Sequence, residues 1–177
     1  MIDTIVRWLK RLGIGGGILA FLGYVIFCAY SLPSYIKVHV TGTEVTREDV
    51  KKRDGEVRTS DVRYVMAEDL DGEPHMFRNQ DTGWGWPPYF KFDEGDVAAQ
   101  ANNYAVDRRE DVVLVKYYGF RIRMLSSFPN IISMRPVAPD YQPVPWFTII
   151  FVFANVVLIG AAMILFRDLT KAGEDRP

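Results

Sequence analysis

The chain has 177 residues, 49% of them hydrophobic and 24% charged, with a formal net charge of -1. The apolar residues are not spread evenly: residues 12–36 and 141–166 contain no charged side chain. Each run exceeds the ~20 residues that a helix needs to cross a ~30 Å hydrocarbon layer, which argues against a freely soluble enzyme.

In chain order, a cytoplasmic tail of residues 1–11 precedes a first transmembrane helix at 12–32. Arg7, Lys10 and Arg11 stand before that span, and Arg167, Lys171 and Arg176 follow the second. The middle region carries only Lys37 close to one span and no basic residue between Pro136 and Pro145. Both ends are therefore expected on the cytoplasmic face of a bacterial inner membrane, with the middle in the periplasm. The first span is read as an uncleaved anchor, because the residues around Cys28, Ala29 and Ser31 lack a small-x-small cleavage pattern. Cys28 is the only cysteine and lies within the span, so the middle domain must hold together without a disulfide. Gly13 and Gly17 form a small-xxx-small pair that lets another helix approach closely, although glycine is common in membrane helices anyway. Three glycines in a row, at 15–17, are expected to loosen the helix near its cytoplasmic end.

The middle domain, residues 33–140, holds 15 Lys plus Arg against 18 Asp plus Glu, interspersed. It has no basic stripe to follow a phosphate backbone, so nucleic acid is not an expected partner. Its pattern is mainly of strands. Ile36, Val38 and Val40 alternate with Lys37, His39 and Thr41, and the strand continues to Thr46. The charged stretch 47–58 reads as a solvated loop. Two β-rich runs, 61–68 and 73–79, meet around Asp71-Gly72, a hairpin signal. Asp93 is placed to cap a short helix on which Val97, Ala98, Ala101, Tyr104 and Ala105 share one face. A dense strand follows at 112–118, Gly119 marks a bend, and Phe120, Ile122 and Met124 alternate with Arg121 and Arg123. A last strand at 130–135 leads into a proline-rich linker and the second span, together residues 141–166. A tail follows at 167–177. Three strands, a helix and two strands is the element order of an OB-like barrel, and an SH3-like barrel reads almost the same. The expected fold is thus a membrane protein: two transmembrane helices flanking a small, mainly-β periplasmic barrel with one helix.

Trp84-Gly85-Trp86-Pro87-Pro88-Tyr89-Phe90 is the most unusual stretch. Glycine and prolines exclude a regular element there. Trp84 and Trp86 are expected to be exposed and to meet a sugar, lipid headgroups or a partner, while Tyr89 and Phe90 are expected to plug the barrel. Arg121, Arg123 and Arg135, with Arg78 nearby, are expected on one face, more simply as solvated charges than as an anion site. Glu68, Asp69, Asp71 and Glu73 fail as a calcium loop, because the alignment puts Arg78 where a bidentate carboxylate is required. His39 and His75 lack a second ligand at metal spacing. No metal, cofactor or catalytic residue is expected. In the second span Asn155 is the one strongly polar side chain, and a neighbouring helix is expected to satisfy it.

The motifs Val40-Thr41-Gly42-Thr43-Glu44, the run from Phe77 through Trp84 and Trp86 to Phe92, Tyr118-Gly119-Phe120-Arg121-Ile122 and Leu125-Ser126-Ser127-Phe128-Pro129-Asn130 resemble the bacterial family catalogued as domain of unknown function 1523. Here Phe120 stands where that pattern has Trp, and Arg123 where it has an uncharged residue. The resemblance implies an envelope protein and assigns no activity. The expected function is a non-catalytic accessory or assembly subunit of a larger inner-membrane complex, with energy-transducing complexes (respiratory or photosynthetic) as the analogy. It would meet other integral membrane proteins through its helices and the lipid bilayer around them, at Gly13, Gly17, Asn155, Trp84, Trp86, Arg121 and Arg123. A small-molecule ligand is not expected. The alternative is a periplasmic module that binds an oligosaccharide or lipid headgroup, with the Trp84/Trp86 loop stacking on it.

Overall fold

The structure is a computed structural model that describes residues 2–51 and 57–174. Its elements are α1 (Ile2–Ser31), β1 (Ser34–Lys51), β2 (Val57–Asp69), β3 (Pro74–Asn79), α2 (Glu94–Val106), β4 (Val113–Tyr118), β5 (Asn130–Pro136) and α3 (Trp146–Glu174). The five strands close into a barrel in the spatial order β1-β2-β3-β5-β4. Neighbours are antiparallel except β3 and β5, which meet in parallel at Arg78 and Asn130. The chain forms two compact units, residues 1–141 with α1 and the barrel, and residues 142–177 with α3.

Alternation along the strands builds the core. Val38 and Val40 of β1, Val65 and Ala67 of β2, Phe77 of β3, Val113 and Val115 of β4 and Ile131 of β5 all point inward and are buried. Val97, Ala101, Tyr104 and Ala105 of α2 join this cluster, on the face their helical spacing defines; Ala98 is half-buried. β1 serves two partners. It pairs with β4 from Ser34 to Val38 and with β2 from Val38 to Lys51, with an irregularity between Val40 and Gly42. At Gly42 a Cβ would lie 3.0 Å from the Met66 methyl carbon, so a larger residue there requires the end of the Met66 side chain to shift.

Three expectations need correction here. Residues 47–51 and 57–58 are strand, not loop: β1 and β2 continue as a ribbon to the pair Lys51 and Val57. Ladder hydrogen bonds are backbone bonds, so the side chains can be charged on both faces of such a ribbon. Arg47 and Asp61, opposite each other, form an exposed ion pair at 3.3 Å. Residues 52–56 of the expected loop lie outside the described residues. Phe120 to Met124 is not a strand. A short 3-10 turn occupies Arg123–Leu125, and Ile122 bridges to Ser127. Asp93 precedes α2 without capping it by its side chain. Asp81 does that work from a distance, its Oδ1 accepting the Glu94 N–H at 2.9 Å.

α1 runs unbroken through Gly15, Gly16 and Gly17. It and α3 are both long and apolar enough to cross a membrane. The Asn155 side-chain amide donates to the Phe151 carbonyl one turn back, at 2.8 Å. Of the basic residues that suggested orientation, the side chains of Arg7, Lys10, Lys171 and Arg176 lie outside those described.

The acidic hairpin turn is organised by Asp69. Its carboxylate accepts the N–H groups of Asp71 at 3.0 Å and Glu73 at 2.9 Å and meets His75 Nε2 at 3.1 Å. The Glu73 N–H above all, then His75, holds this carboxyl below the ordinary value for Asp. A depressed native value means stability that is present above the ordinary carboxyl pKa of ~3.9 and is lost as pH falls through the native value. The melting temperature of Asp69→Asn is therefore expected to vary less between about pH 5 and pH 2 than that of the parent. Parallel pH profiles for the two proteins would refute this role.

Candidate functional site

The aromatic loop and the end of α1 meet at one place. Only Leu32 and Pro33 separate Ser31, the last residue of α1, from Ser34, the first of β1. Two residues span at most ~7 Å, so the barrel starts directly at the helix end. Side chains then join helix and barrel. The Trp86 indole N–H donates to Ser31 Oγ at 2.9 Å, and its ring stacks on Phe27, with centroids 5.1 Å apart and planes 17° from parallel. The Tyr89 hydroxyl donates to the Ser31 carbonyl. The Gly119 N–H donates to the Tyr30 carbonyl at 2.9 Å, and the Tyr30 ring packs edge-on against Tyr118 and Phe120. The bonds from Tyr89 and Gly119 satisfy carbonyls that a helix C-terminus leaves without partners inside the helix. Each aromatic pair adds ~0.5–1.5 kcal/mol beyond its burial.

Beneath this junction lies a polar network. Asn79 is fully buried; its amide donates to the Glu94 carbonyl at 2.8 Å and its oxygen accepts from the buried Lys91 ammonium. Asn130 donates to the Gln80 carbonyl at 3.0 Å and to the Tyr118 hydroxyl at 3.1 Å, and its oxygen accepts the Gln80 N–H at 2.9 Å. Burial pulls the Lys91 pKa down, and the nearby Asp93, Asp81 and Glu94 pull it partly back. Burial pushes the hydroxyl groups of Tyr89 and Tyr118 upward. Lys91 holds the loop's return to the barrel, with its backbone N–H donating to Thr82 Oγ1 at 3.1 Å and its carbonyl accepting from Gly83.

Two concavities flank the network. A pocket of about 250 Å³ is lined by Tyr30, Arg78, Asp81, Trp86, Tyr118 and Phe128 among others. A groove of about 750 Å³ lies between Glu68, Asp69 and His75 of the hairpin and Arg121, Arg123 and Phe128 of the connection between β4 and β5. Among the described residues no group of three or more His, Cys, Asp or Glu is placed to hold a metal ion.

The expected site residues divide as follows. Trp84 and Trp86 are both largely exposed, at 84% and 60%. Tyr89 is half-buried and ties the loop to α1, but Phe90 is not a plug: it is 54% exposed, with φ +50°, and packs on Trp84 at 5.4 Å. Arg121 and Arg123 share the larger groove, and the Arg121 guanidinium lies 4.0 Å from the centre of the Phe128 ring. Arg135 is not with them, since it donates to the Tyr141 hydroxyl at 2.7 Å, and Arg78 lines the smaller pocket. Gly13 and Gly17 have nothing within 4 Å of a Cβ position. Phe27, Tyr30 and Ser31 were not anticipated, because inside an apolar run they look like ordinary span residues. The one signal available was the two-residue interval before the first strand.

Residues 9–170 match the family described as "Protein of unknown function (DUF1523)". The chain belongs to this family. An uncharacterized protein of Haemophilus influenzae is 35% identical over 138 residues, which cover 73% of this chain and 78% of that relative. No solved structure matches. The DUF1523 match takes in the barrel and nearly all of both apolar helices, so the junction of α1 with the aromatic loop lies inside the matched region.

Proposed function

We propose that this DUF1523 protein is a non-catalytic accessory or assembly subunit of a larger complex in the bacterial cytoplasmic membrane. α1 and α3 are its spans, and its OB-like barrel lies on the periplasmic side. Arg11 and Arg167 mark the cytoplasmic ends of the helices. The strand order, with β3 beside β5 and the helix between β3 and β4, supports the OB-like over the SH3-like reading.

One observation carries the reading: α1 is braced to the barrel at one end while its glycine positions stand open at the other. Gly13 lies ~27 Å along the helix axis from Ser31, close to the hydrocarbon thickness. A partner helix packed at Gly13 and Gly17 would therefore hold the barrel at a set height above the membrane. For the rival ligand-binding reading, Trp86 lines the smaller pocket while Trp84 lines neither concavity.

Tagged protein purified from native membranes in mild detergent is expected to bring a stoichiometric set of membrane subunits, and Gly13→Leu with Gly17→Leu is expected to release them. A lone monomer or homodimer, or unchanged co-purification by the double variant, would overturn the proposal.

A further inference from the structure

Four large aromatic side chains crowd the exit of α1 and remain open. Trp84, Trp86, Phe90 and Phe92 are 84%, 60%, 54% and 58% exposed. Trp84 packs edge-on against Phe90 and Phe92, at 5.4 and 5.9 Å, so these three rings form one patch, two residues along the chain from Trp86. A contiguous apolar patch of this kind marks a surface that is covered in use.

The contacts of Trp86 say what covers it. Phe27 lies four residues before the end of α1, within ~6 Å of it along the axis. A ring stacked on Phe27 therefore sits level with the last turn of the helix. Trp84 is two residues away in the chain, in a turn closed by the Gly85 N–H on the Thr82 carbonyl at 2.9 Å. The next loop adds to the same rim. Phe120 packs against Tyr30, and the chain goes on through Ile122 to Met124 and Leu125, which are 96% and 73% exposed. Arg121 and Arg123, both exposed, alternate with these apolar residues. Apolar and aromatic side chains interleaved with Arg, at the height where a span ends, are the composition of a membrane-interface segment.

We propose that the 84–92 loop, with the 120–125 loop beside it, is an interfacial anchor: it sets Trp84, Trp86, Phe90 and Phe92 among the headgroups and outer acyl carbons of the lipid that surrounds the end of α1. The occupant is a phospholipid surface. The anchor rests on the reading of α1 as a membrane span.

The test uses the full-length chain reconstituted in vesicles of phosphatidylethanolamine and phosphatidylglycerol. Trp8→Phe, Trp86→Phe and Trp146→Phe leave Trp84 as the sole reporter, and a second variant keeps Trp146 alone. Lipids brominated near the headgroup end of the acyl chain are expected to remove more than half of the Trp84 emission. Lipids brominated near the methyl end are expected to remove less, and aqueous acrylamide little. Trp84 emission that ignores both bromolipids overturns the anchor, whether acrylamide reaches it (an open aqueous loop) or not (a loop covered by a second copy). Vesicle flotation and quenching of Trp146 separate the two ideas. If the protein floats and Trp146 is quenched while Trp84 is not, the anchor fails alone; if neither occurs, the membrane-span reading fails with it.

Discussion

Phe77→Ala is expected to destabilise the barrel by about 3–5 kcal/mol, read as a lower urea midpoint in detergent at unchanged slope. Phe77 is 1% exposed in the middle of β3, with the His75 ring stacked beside it at 6.1 Å and the Tyr117 ring at 5.4 Å. It is among the largest fully buried side chains, in a core cluster that includes Val38, Val40, Val65, Val97, Val113 and Val115. Short, branched side chains on a closed ladder cannot move in to fill a ring-sized gap, so most of the cavity would persist. A domain of this size holds about 5–15 kcal/mol in total, so this one change removes a large share. A loss below ~1 kcal/mol would mean that the barrel collapses around the gap, and that its interior is not the packed core described above.

The second large effect is expected at Gly119. Its φ of +91° lies where side chains are strained, and a Cβ there would also meet the Tyr30 ring at 3.5 Å and the Pro129 Cα at 3.7 Å. Gly119→Val is expected to cost about 1–3 kcal/mol from the backbone alone. The Gly119 N–H holds the Tyr30 carbonyl, so any shift that relieves the strain also loosens the helix from the barrel. Hydrogen exchange at residue 119 should rise together with a fall in melting temperature. The contrast is Gly95 in α2, where a Cβ meets nothing and Gly95→Ala should be neutral or stabilising by up to ~1 kcal/mol. A stable Gly119→Val protein with a protected amide would refute the brace.

The strands of the barrel were legible where burial leaves a mark: Val38 and Val40 give a period-2 trace, and Val112 to Val115, buried throughout, a dense apolar run. The same trace misleads where nothing is buried. Phe120, Ile122 and Met124 alternate with arginines as a strand does, yet the left-handed Gly119 turns the chain out of the ladder and leaves them exposed. The converse holds at 47–51, where the alternation gives way to a run of charges but backbone pairing continues. At the candidate site, the density of Trp and Pro singled out the 84–90 stretch, and the exposure of Trp84 and Trp86 agrees with that reading. What they touch was not legible. Ser31 and Trp86 lie 55 positions apart, and a hydroxyl at the end of an apolar run carries no mark of its acceptor role. Asp81 capping α2 in place of Asp93 is the same kind of miss, a local rule overtaken by a side chain brought in by the fold.

The two-residue interval between α1 and β1 has a mechanical consequence. A helix turns ~100° per residue, and with no slack before β1 the barrel must follow any rotation of α1. The helix acts as a keyed shaft. A partner packed at Gly13 and Gly17, as proposed above, would also select which side of the barrel faces it, and one residue inserted near the middle of α1 would swing that side away by more than a quarter of a turn.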